Sequence, residues 1–367
     1  MSEITCVVGA RPNFMKMAPI LAALRAYPEI HPFLVHTGQH YDEEMSRVFF
    51  VDLGMPAPDR DLEVGSDTHA RQTARIMTAF DALLDERPSR LVVVVGDVNS
   101  TLACSLVAVK RDVPVAHVEA GLRSRDRTMP EEINRLVTDS VSDLLFATSP
   151  DAIGNLKAEG IPESKIHLVG NPMIDTLQRH VERARARGVE RSLGLARGGY
   201  ALVTLHRPAN VDTPDGLSAI LRSLDRLASR IPVVFPVHPR TRERMDRLGF
   251  TPGPELRLLE PLGYLDFLGL MDSARFVLTD SGGIQEETTV LGVPCLTLRA
   301  NTERPITITE GTNRLLGTEA TAILPAAEAI LGGAAVPQRC PALWDGRAGE
   351  RIATVISRYL KEPAGGR

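Results

Sequence analysis

Three carboxylates stand where short apolar runs end. Asp97 follows residues 91–95, Glu119 follows 114–118, and Glu131 lies just after Pro130 at a helix start. Cations accompany them: Arg11 and Lys16 in Gly9-Ala10-Arg11-Pro12-Asn13-Phe14-Met15-Lys16, and Arg135 four residues after Glu131. Carboxylates sharing one crevice raise one another's pKa and become proton donors and acceptors. Each also has a plainer reading. Asp97 could cap a helix, although Asn99 or Ser100 would serve equally well. Glu131 and Arg135 could form an i,i+4 ion pair worth roughly a few tenths of a kcal/mol. The combination favours a site of proton transfer.

A second constellation is Leu278-Thr279-Asp280-Ser281-Gly282-Gly283-Ile284-Gln285-Glu286-Glu287. A buried strand ends at Asp280 and a helix begins at Ile284, so Ser281, Gly282 and Gly283 form the turn. Two glycines allow close backbone approach, and the first amides of the helix have no internal partner. With the helix dipole they make an anion site, most often for phosphate. Glu287, one turn in, could accept hydrogen bonds from a sugar diol. The plain alternative is a tight corner followed by a first-turn acid, worth about 0.3–1 kcal/mol.

The elements that position these groups alternate. Strand-like runs at 4–8, 32–36, 91–95, 114–118, 144–148 and 166–169 are interleaved with helical patterns at 17–24, near 43–53, at 70–84 and at 101–110. Continuous apolar strands between helices indicate a parallel sheet covered on both faces, with ligands at the carboxyl ends of the strands. Gly170-Asn171-Pro172 interrupts the pattern. A charged helix at 173–187 follows, and then a second series of strands at 201–205, 233–237, 257–259, 276–279 and 294–298. The expected fold is α/β: two Rossmann-like doubly wound domains facing across a cleft. Their bounds are 1–171 and 172–345, and a final helix in 346–367 packs on a domain, the first being a candidate. His206-Arg207-Pro208, His238-Pro239-Arg240 and a segment containing Arg304 follow strands of the second domain. His40, in Thr37-Gly38-Gln39-His40, is expected to be an ordinary loop residue.

Composition narrows the classes. A hydrophobic content of 43% with 24% charged residues is that of an ordinary globular protein. The net charge of -4 argues against nucleic acid or an anionic membrane as a general partner. The first loop is not GxGxxG, and no acidic residue ends the next strand, so dinucleotide binding is disfavoured. Cys6, Cys104, Cys295 and Cys340 are widely spaced and three lie in apolar surroundings, as buried thiols in a reducing compartment would. No apolar run reaches a membrane-spanning length, and residues 4–8 already read as a strand rather than a leader, so a cytoplasmic protein is expected.

Taken together, Gly-x-Arg-Pro with Lys16, the Gly96-Asp97 loop, His117-Val118-Glu119-Ala120-Gly121-Leu122-Arg123, Pro130-Glu131-Glu132 with Arg135, and Asp280–Glu287 occur in one order. The set resembles the non-hydrolysing UDP-N-acetylglucosamine 2-epimerases, from Gly9 to about Gly317 and again near Trp344-Asp345-Gly346. The resemblance implies the glycosyltransferase-B architecture, a homodimer, a UDP-sugar substrate, and no metal or other cofactor. It implies that Ser281, Gly282 and Gly283 hold the diphosphate and Glu287 the ribose, with Arg11, His206 and Arg304 around the phosphates and Lys16 among the binding residues. Asp97, Glu119 and Glu131 become the acid/base carboxylates, supported by Arg135, and His206 joins the catalytic group.

The chemistry of that reaction suits these residue types. The C2–H of an N-acetylated sugar has no adjacent carbonyl to acidify it. Loss of UDP through an oxocarbenium-like state makes the proton removable and gives 2-acetamidoglucal, and UDP re-adds with protonation on the opposite face. Cations and helix-end amides stabilise the departing diphosphate, and several carboxylates serve proton transfer at two faces. Two alternatives hold the same nucleotide sugar: a glycosyltransferase passing it to an acceptor, and a non-catalytic sensor. The three carboxylates favour the epimerase over both. One loop departs from the family pattern: His206-Arg207-Pro208-Ala209-Asn210 stands where many members read His-Arg-Arg-Glu-Asn, and Tyr41-Asp42-Glu43 follows Gln39-His40. The departure bears on activation by a second UDP-N-acetylglucosamine and on the sugar accepted, for which a diacetamido uronic acid is the alternative.

Overall fold

The computed structural model describes residues 2–39, 54–334 and 339–362, apart from the Arg11 side chain. The chain divides into two compact units, Met1–Thr176 with Ala342–Arg367, and Leu177–Pro341. In the first, β1 (Ser2–Val8), β2 (Ile30–His36), β3 (Arg60–Asp61), β4 (Val92–Val95), β5 (Val115–Ala120), β6 (Leu144–Ala147) and β7 (Ile166–Leu168) form one sheet in the order 3-2-1-4-5-6-7. Every pairing is parallel. Val92–Val95 is buried along its whole length, which explains its unbroken apolar sequence. Ile76, Phe80, Leu83 and Leu84 of the helix His69–Glu86 cover that side of the sheet together with Ala103 and Val107.

The second unit repeats the plan with different residues. Strands β8 (Ala201–Thr204), β9 (Val233–Pro236), β10 (Leu256–Leu259), β11 (Phe276–Thr279), β12 (Cys295–Thr297) and β13 (Asn313–Leu315) run parallel in the order 10-9-8-11-12-13. Leu217, Ile220, Leu221 and Leu224 recur at helical spacing on Pro214–Ala228 and bury one face of that helix against this sheet. The α/β class with two doubly wound parallel sheets is the one the sequence indicated.

In each sheet the strand order reverses at one place. In the first this lies between β1 and β4, and in the second between β8 and β11. Chains leaving the two central strands diverge there and open a crevice at the carboxyl ends, the usual place for a ligand in such sheets. The loops after β1, β4, β8 and β11 begin at Gly9, Gly96, Leu205 and Asp280.

The unit boundaries fall a few residues from those drawn on sequence. The helix Pro172–Arg187 begins inside the first unit, where the Thr176 hydroxyl donates to the Met15 carbonyl at 2.5 Å. Residues 342–345 also belong to the first unit: Trp344 Nε1 donates to the Thr148 carbonyl at 3.0 Å. The final helix, Ala348–Lys361, packs on Arg11–Leu24 of the same unit. The Asp175 carboxylate caps its start by accepting the Ala348 and Gly349 amides at 3.0 and 2.7 Å. A side chain at Gly349 would meet the Pro19 carbonyl, since a Cβ there lies 2.7 Å from that oxygen. The short strands β3 and β13 had no signal strong enough to read. The helix expected near 43–53, with His40, Tyr41 and Asp42, lies outside the described residues.

Candidate active site

In the first unit the loop after β1 turns at once into the helix Arg11–Leu24, with Pro12 in its first turn. Asn13 serves as the cap from inside: its Oδ1 accepts the Gly9 and Ala10 amides at 3.1 and 3.0 Å. Its Nδ2 donates to the Val95 carbonyl at 2.9 Å, joining the two loops across the switch point. One turn on, Lys16 forms an ion pair with Glu119. Both are buried, so each supplies the opposite charge that the other needs away from water.

Glu119 reaches that position through a backbone departure. Its φ is +72°, in the left-handed region, and the β5–β6 register shifts between Val118 and Ala120. A non-glycine residue held there costs on the order of 1–3 kcal/mol, and bulges of this kind re-aim a side chain. Gly96 lies under the carboxylate: a Cβ on it would stand 3.4 Å from Glu119 Oε2 and 3.5 Å from Lys16 Nζ. Asp97 therefore follows a residue whose backbone packs against the Lys16–Glu119 pair.

Asp97 itself is partly exposed, with 29% of its side chain accessible, and pairs with the buried Arg135. The helix-face partner of Arg135 is Glu132 at i,i+3, with Nη2–Oε2 at 2.6 Å, where the sequence suggested Glu131 at i,i+4. Glu132 also accepts the Ser124 and Arg125 amides at 2.9 and 2.8 Å. Burial works against its charge, but those amides and Arg135 outweigh it and hold the carboxyl below its usual range. Glu132 thus anchors Arg135, and Glu131, second residue of the helix Pro130–Val141, stays partly exposed. Neither Asn99 nor Ser100 caps the following helix. Asn99 Nδ2 donates to Gln72 Oε1 at 2.8 Å and Ser100 Oγ to Gln39 Oε1 at 2.6 Å.

In the second unit Asp280 is the knot of the switch point. Its carboxylate accepts the His206 and Arg207 amides at 3.1 and 2.9 Å and Asn210 Nδ2 at 2.9 Å. His206 Nδ1 stands 3.1 Å from Asp280 Oδ1, while half of the imidazole side chain is exposed. Burial opposes the Asp280 charge, yet His206, Asn210 and the Arg207 amide hold the carboxyl below its usual range.

The helix after β11 starts at Gly282, two residues earlier than expected, with Ser281 at its N-cap. Glu287 consequently lies in the second turn, too deep to be explained as a first-turn acid. It is buried, and the Tyr264 hydroxyl donates to its Oε1 at 3.0 Å. Burial, with the neighbouring Glu286 charge adding to it, pushes the Glu287 carboxyl up to about 8, and the Tyr264 bond acts the other way. Arg304 lies over the first helical turn: a Cβ on Gly282 would be 2.5 Å from Arg304 Nη1 and 2.7 Å from Glu303 Oε1. Glu303 pairs with Arg304 and, at 2.7 Å, with Arg299, while Arg304 Nε lies 2.8 Å from Glu286. The result is a helix start flanked by buried guanidinium groups, an arrangement suited to a diphosphate.

The described part of the first unit therefore brings together Lys16, Glu119, Asp97 and Arg135, with Glu131 on the same helix as Arg135. The second brings together His206, Ser281, Gly282, Gly283 and Arg304, with Glu287 one turn further. Arg11 opens its helix, but its side chain is outside the described residues. Asn13, Glu132, Tyr264 and Glu303 escaped the sequence reading because their partners are fixed by folding. Asn13 is the third residue of its helix, but the N-cap is Ala10, whose methyl group accepts no hydrogen bond, so no capping-box signature marked it in the sequence. Among the described residues no group of His, Cys, Asp and Glu side chains could hold a metal, and no helix is long and apolar enough to cross a membrane.

Residues 22–357 match the family model described as UDP-N-acetylglucosamine 2-epimerase. The UDP-N-acetylglucosamine 2-epimerase of Methanocaldococcus jannaschii is 40% identical over 97% of this chain and 99% of its own. The UDP-2,3-diacetamido-2,3-dideoxy-D-glucuronate 2-epimerase of Pseudomonas aeruginosa is 41% identical over 97% of this chain and 99% of its own. Among solved structures, the M. jannaschii UDP-GlcNAc 2-epimerase in complex with UDP-GlcNAc and UDP superposes with a TM-score of 0.89. It is 39% identical, with 97% of this chain and 99% of that one covered.

Proposed function

Because the chain belongs to the UDP-N-acetylglucosamine 2-epimerase family, we propose that it reversibly inverts C2 of UDP-N-acetylglucosamine, giving UDP-N-acetylmannosamine. The route is elimination and re-addition. The C1–O bond to UDP breaks, the C2 proton leaves to a carboxylate, and 2-acetamidoglucal and UDP form. UDP then re-forms the C1–O bond as a second acid protonates C2 on the opposite face; the first carboxylate passes its proton to solvent and the second regains one from solvent, so the balance closes.

The observation that carries this reading is the Lys16–Glu119 pair beside Gly96-Asp97. A buried carboxylate held by a left-handed backbone and balanced by Lys16, next to a second one held by Arg135, carries a folding cost of the kind that collects at functional sites. Glu119 and Asp97 are assigned to the two proton transfers, with Glu131 as the third carboxylate. Ser281, Gly282, Gly283 and Arg304 take the diphosphate, Glu287 takes the ribose diol, and Arg11 and His206 complete the phosphate contacts. A hydrogen bond from His206 Nδ1–H to Asp280 fixes the ring so that Nε2 is the nitrogen offered to substrate. In this reading the protein is a homodimer and uses no metal or other cofactor.

The P. aeruginosa relative, at 41% identity, supports a second reading for the sugar. The same elimination at an acetamido-bearing C2 also serves a diacetamido uronic acid. Incubation with each UDP-sugar and no acceptor, followed by proton NMR of the anomeric region, tests both. The expected result is a two-component equilibrium of UDP-sugars. Release of free sugar, or no change with either compound, contradicts the epimerase reading.

A further inference from the structure

We propose that Asp139 is a positioning residue that fixes the two proton-transfer carboxylates through His117 and Gly121. This inference rests on the epimerase reading and deepens it. Asp139 lies on the helix Pro130–Val141, one turn after Arg135, and is fully buried. Its Oδ1 is 2.6 Å from His117 Nδ1, and its Oδ2 accepts the Gly121 amide at 3.0 Å and Arg123 Nη2 at 2.7 Å. His117 Nε2 in turn donates to the Gly96 carbonyl at 2.8 Å. One carboxylate thus holds the His117 ring and the Gly121 amide, on either side of Glu119, and, through that imidazole, the residue before Asp97.

The backbone held in this way is unusual. Gly96, Glu119 and Gly121 have φ of +71°, +72° and +83°. Gly121 is also pressed against its surroundings: a Cβ there would lie 2.4 Å from the Ala152 carbonyl oxygen. Left-handed conformations persist where the surroundings over-determine them, and Asp139 bonds directly or through one side chain to the segments containing all three. His117 is held at both ring nitrogens, by Asp139 on one edge and the Gly96 carbonyl on the other, so the imidazole has a single orientation. Arg123, the cation beside Asp139, is held from its far side by Glu159, with Nε–Oε1 at 2.8 Å. A buried network of this kind contributes little net stability compared with a well-packed apolar core, but it fixes geometry. The direct consequence is the placement of Asp97 and Glu119, neither of which Asp139 touches.

The test compares Asp139→Asn, His117→Gln and His117→Ala in the full chain, using kcat and KM for the UDP-sugar, UDP affinity by calorimetry, and the melting temperature. Asp139→Asn is expected to lower kcat by about 10- to 100-fold, with KM and the UDP dissociation constant within about twofold of wild type. His117→Gln, which keeps an N–H for the Gly96 carbonyl, should retain several-fold more kcat than His117→Ala. A folded Asp139→Asn enzyme with wild-type kcat would overturn the inference. So would UDP binding that falls in step with kcat, the mark of a merely structural role. If Asp139→Asn does not fold, equal kcat for the two His117 variants decides against it. Failure of the epimerase reading would show separately, as a wild-type protein that interconverts no UDP-sugar.

Discussion

Tyr264 donates its hydroxyl to Glu287 Oε1 at 3.0 Å, and against that bond burial still leaves the acid a conditional acceptor. With its carboxyl pushed up to about 8 by burial, Glu287 is mostly neutral at pH 7. In its proposed role, the two ribose hydroxyls that donate to it would favour the ionised form. UDP binding at pH 7 should therefore release a proton, and affinity should rise, by up to about tenfold per pH unit below 8. Calorimetry in buffers of different ionisation enthalpy measures this. Proton uptake, or affinity independent of pH between 6 and 9, contradicts the assignment. Glu287→Ala should weaken UDP binding by roughly 1.5–3 kcal/mol in a protein that remains folded.

The same sign applies to stability. Glu287 has a folded pKa above its unfolded value near 4.5, so it disfavours the empty fold increasingly as pH rises from 4.5 through about 8. Bound UDP removes that penalty. The gain in melting temperature on adding saturating UDP should grow from pH 6 to pH 8.5, and a constant gain would argue against a titrating Glu287.

Glu303 has the opposite sign. Burial opposes its charge, but Arg304, Arg299 and Arg207 outweigh it and hold the carboxyl well below its usual range. Its stabilising contribution is present above about pH 4.5 and is lost as pH falls toward the folded value. Glu303→Gln should cost about 3–5 kcal/mol at pH 7, because it removes the buried charge shared by Arg299 and Arg304, although Arg304 keeps Glu286. Urea titrations should show the difference from wild type shrinking below pH 4.5. A difference that stays the same down to pH 3 would mean that the pair is not what holds those arginines.

Gly282→Ala separates binding from folding. Alanine favours a helix over glycine by about 1 kcal/mol, yet its Cβ would sit 2.5 Å from Arg304 Nη1. The variant should keep its melting temperature within a few degrees and lose about tenfold or more in UDP affinity. Wild-type affinity would remove Gly282 and Arg304 from the phosphate site.

Pro208 stands where many family members carry an arginine, and it opens the short helix Pro208–Val211. Its lack of a cation leads to the expectation of weak or absent activation by UDP-N-acetylglucosamine. Initial rates from UDP-N-acetylmannosamine should be hyperbolic and need no added UDP-N-acetylglucosamine. A strict requirement for traces of it would contradict this.

The sequence made the frame legible because burial on both faces writes itself as continuous apolar runs. Residues 91–95 and 276–279 correspond closely to β4 and β11, and the groups following those strands became the candidates. The second layer was not legible. Asp280 read as a strand-end carboxylate, but it spends its oxygens on the loop after β8, seventy-odd residues earlier. Glu131 and Glu132 are adjacent acids at one helix start, and only the Ser124–Arg125 loop decides that Glu132 holds Arg135. Tyr264 is 23 residues from Glu287, and no periodicity links them. Long-range polar partners of this kind are set by topology, which local pattern does not encode.

The most direct test of the proposed chemistry is the fate of the C2 hydrogen. The reaction is run in deuterium oxide with neither nicotinamide nor divalent metal added, and the product is read by NMR. Elimination and re-addition through Asp97 and Glu119 predicts deuterium at C2 of the epimerised sugar. It also predicts that Asp97→Asn slows turnover by about 100-fold or more and leaves UDP binding near wild type. Epimerised product that retains its original C2 hydrogen would contradict the account.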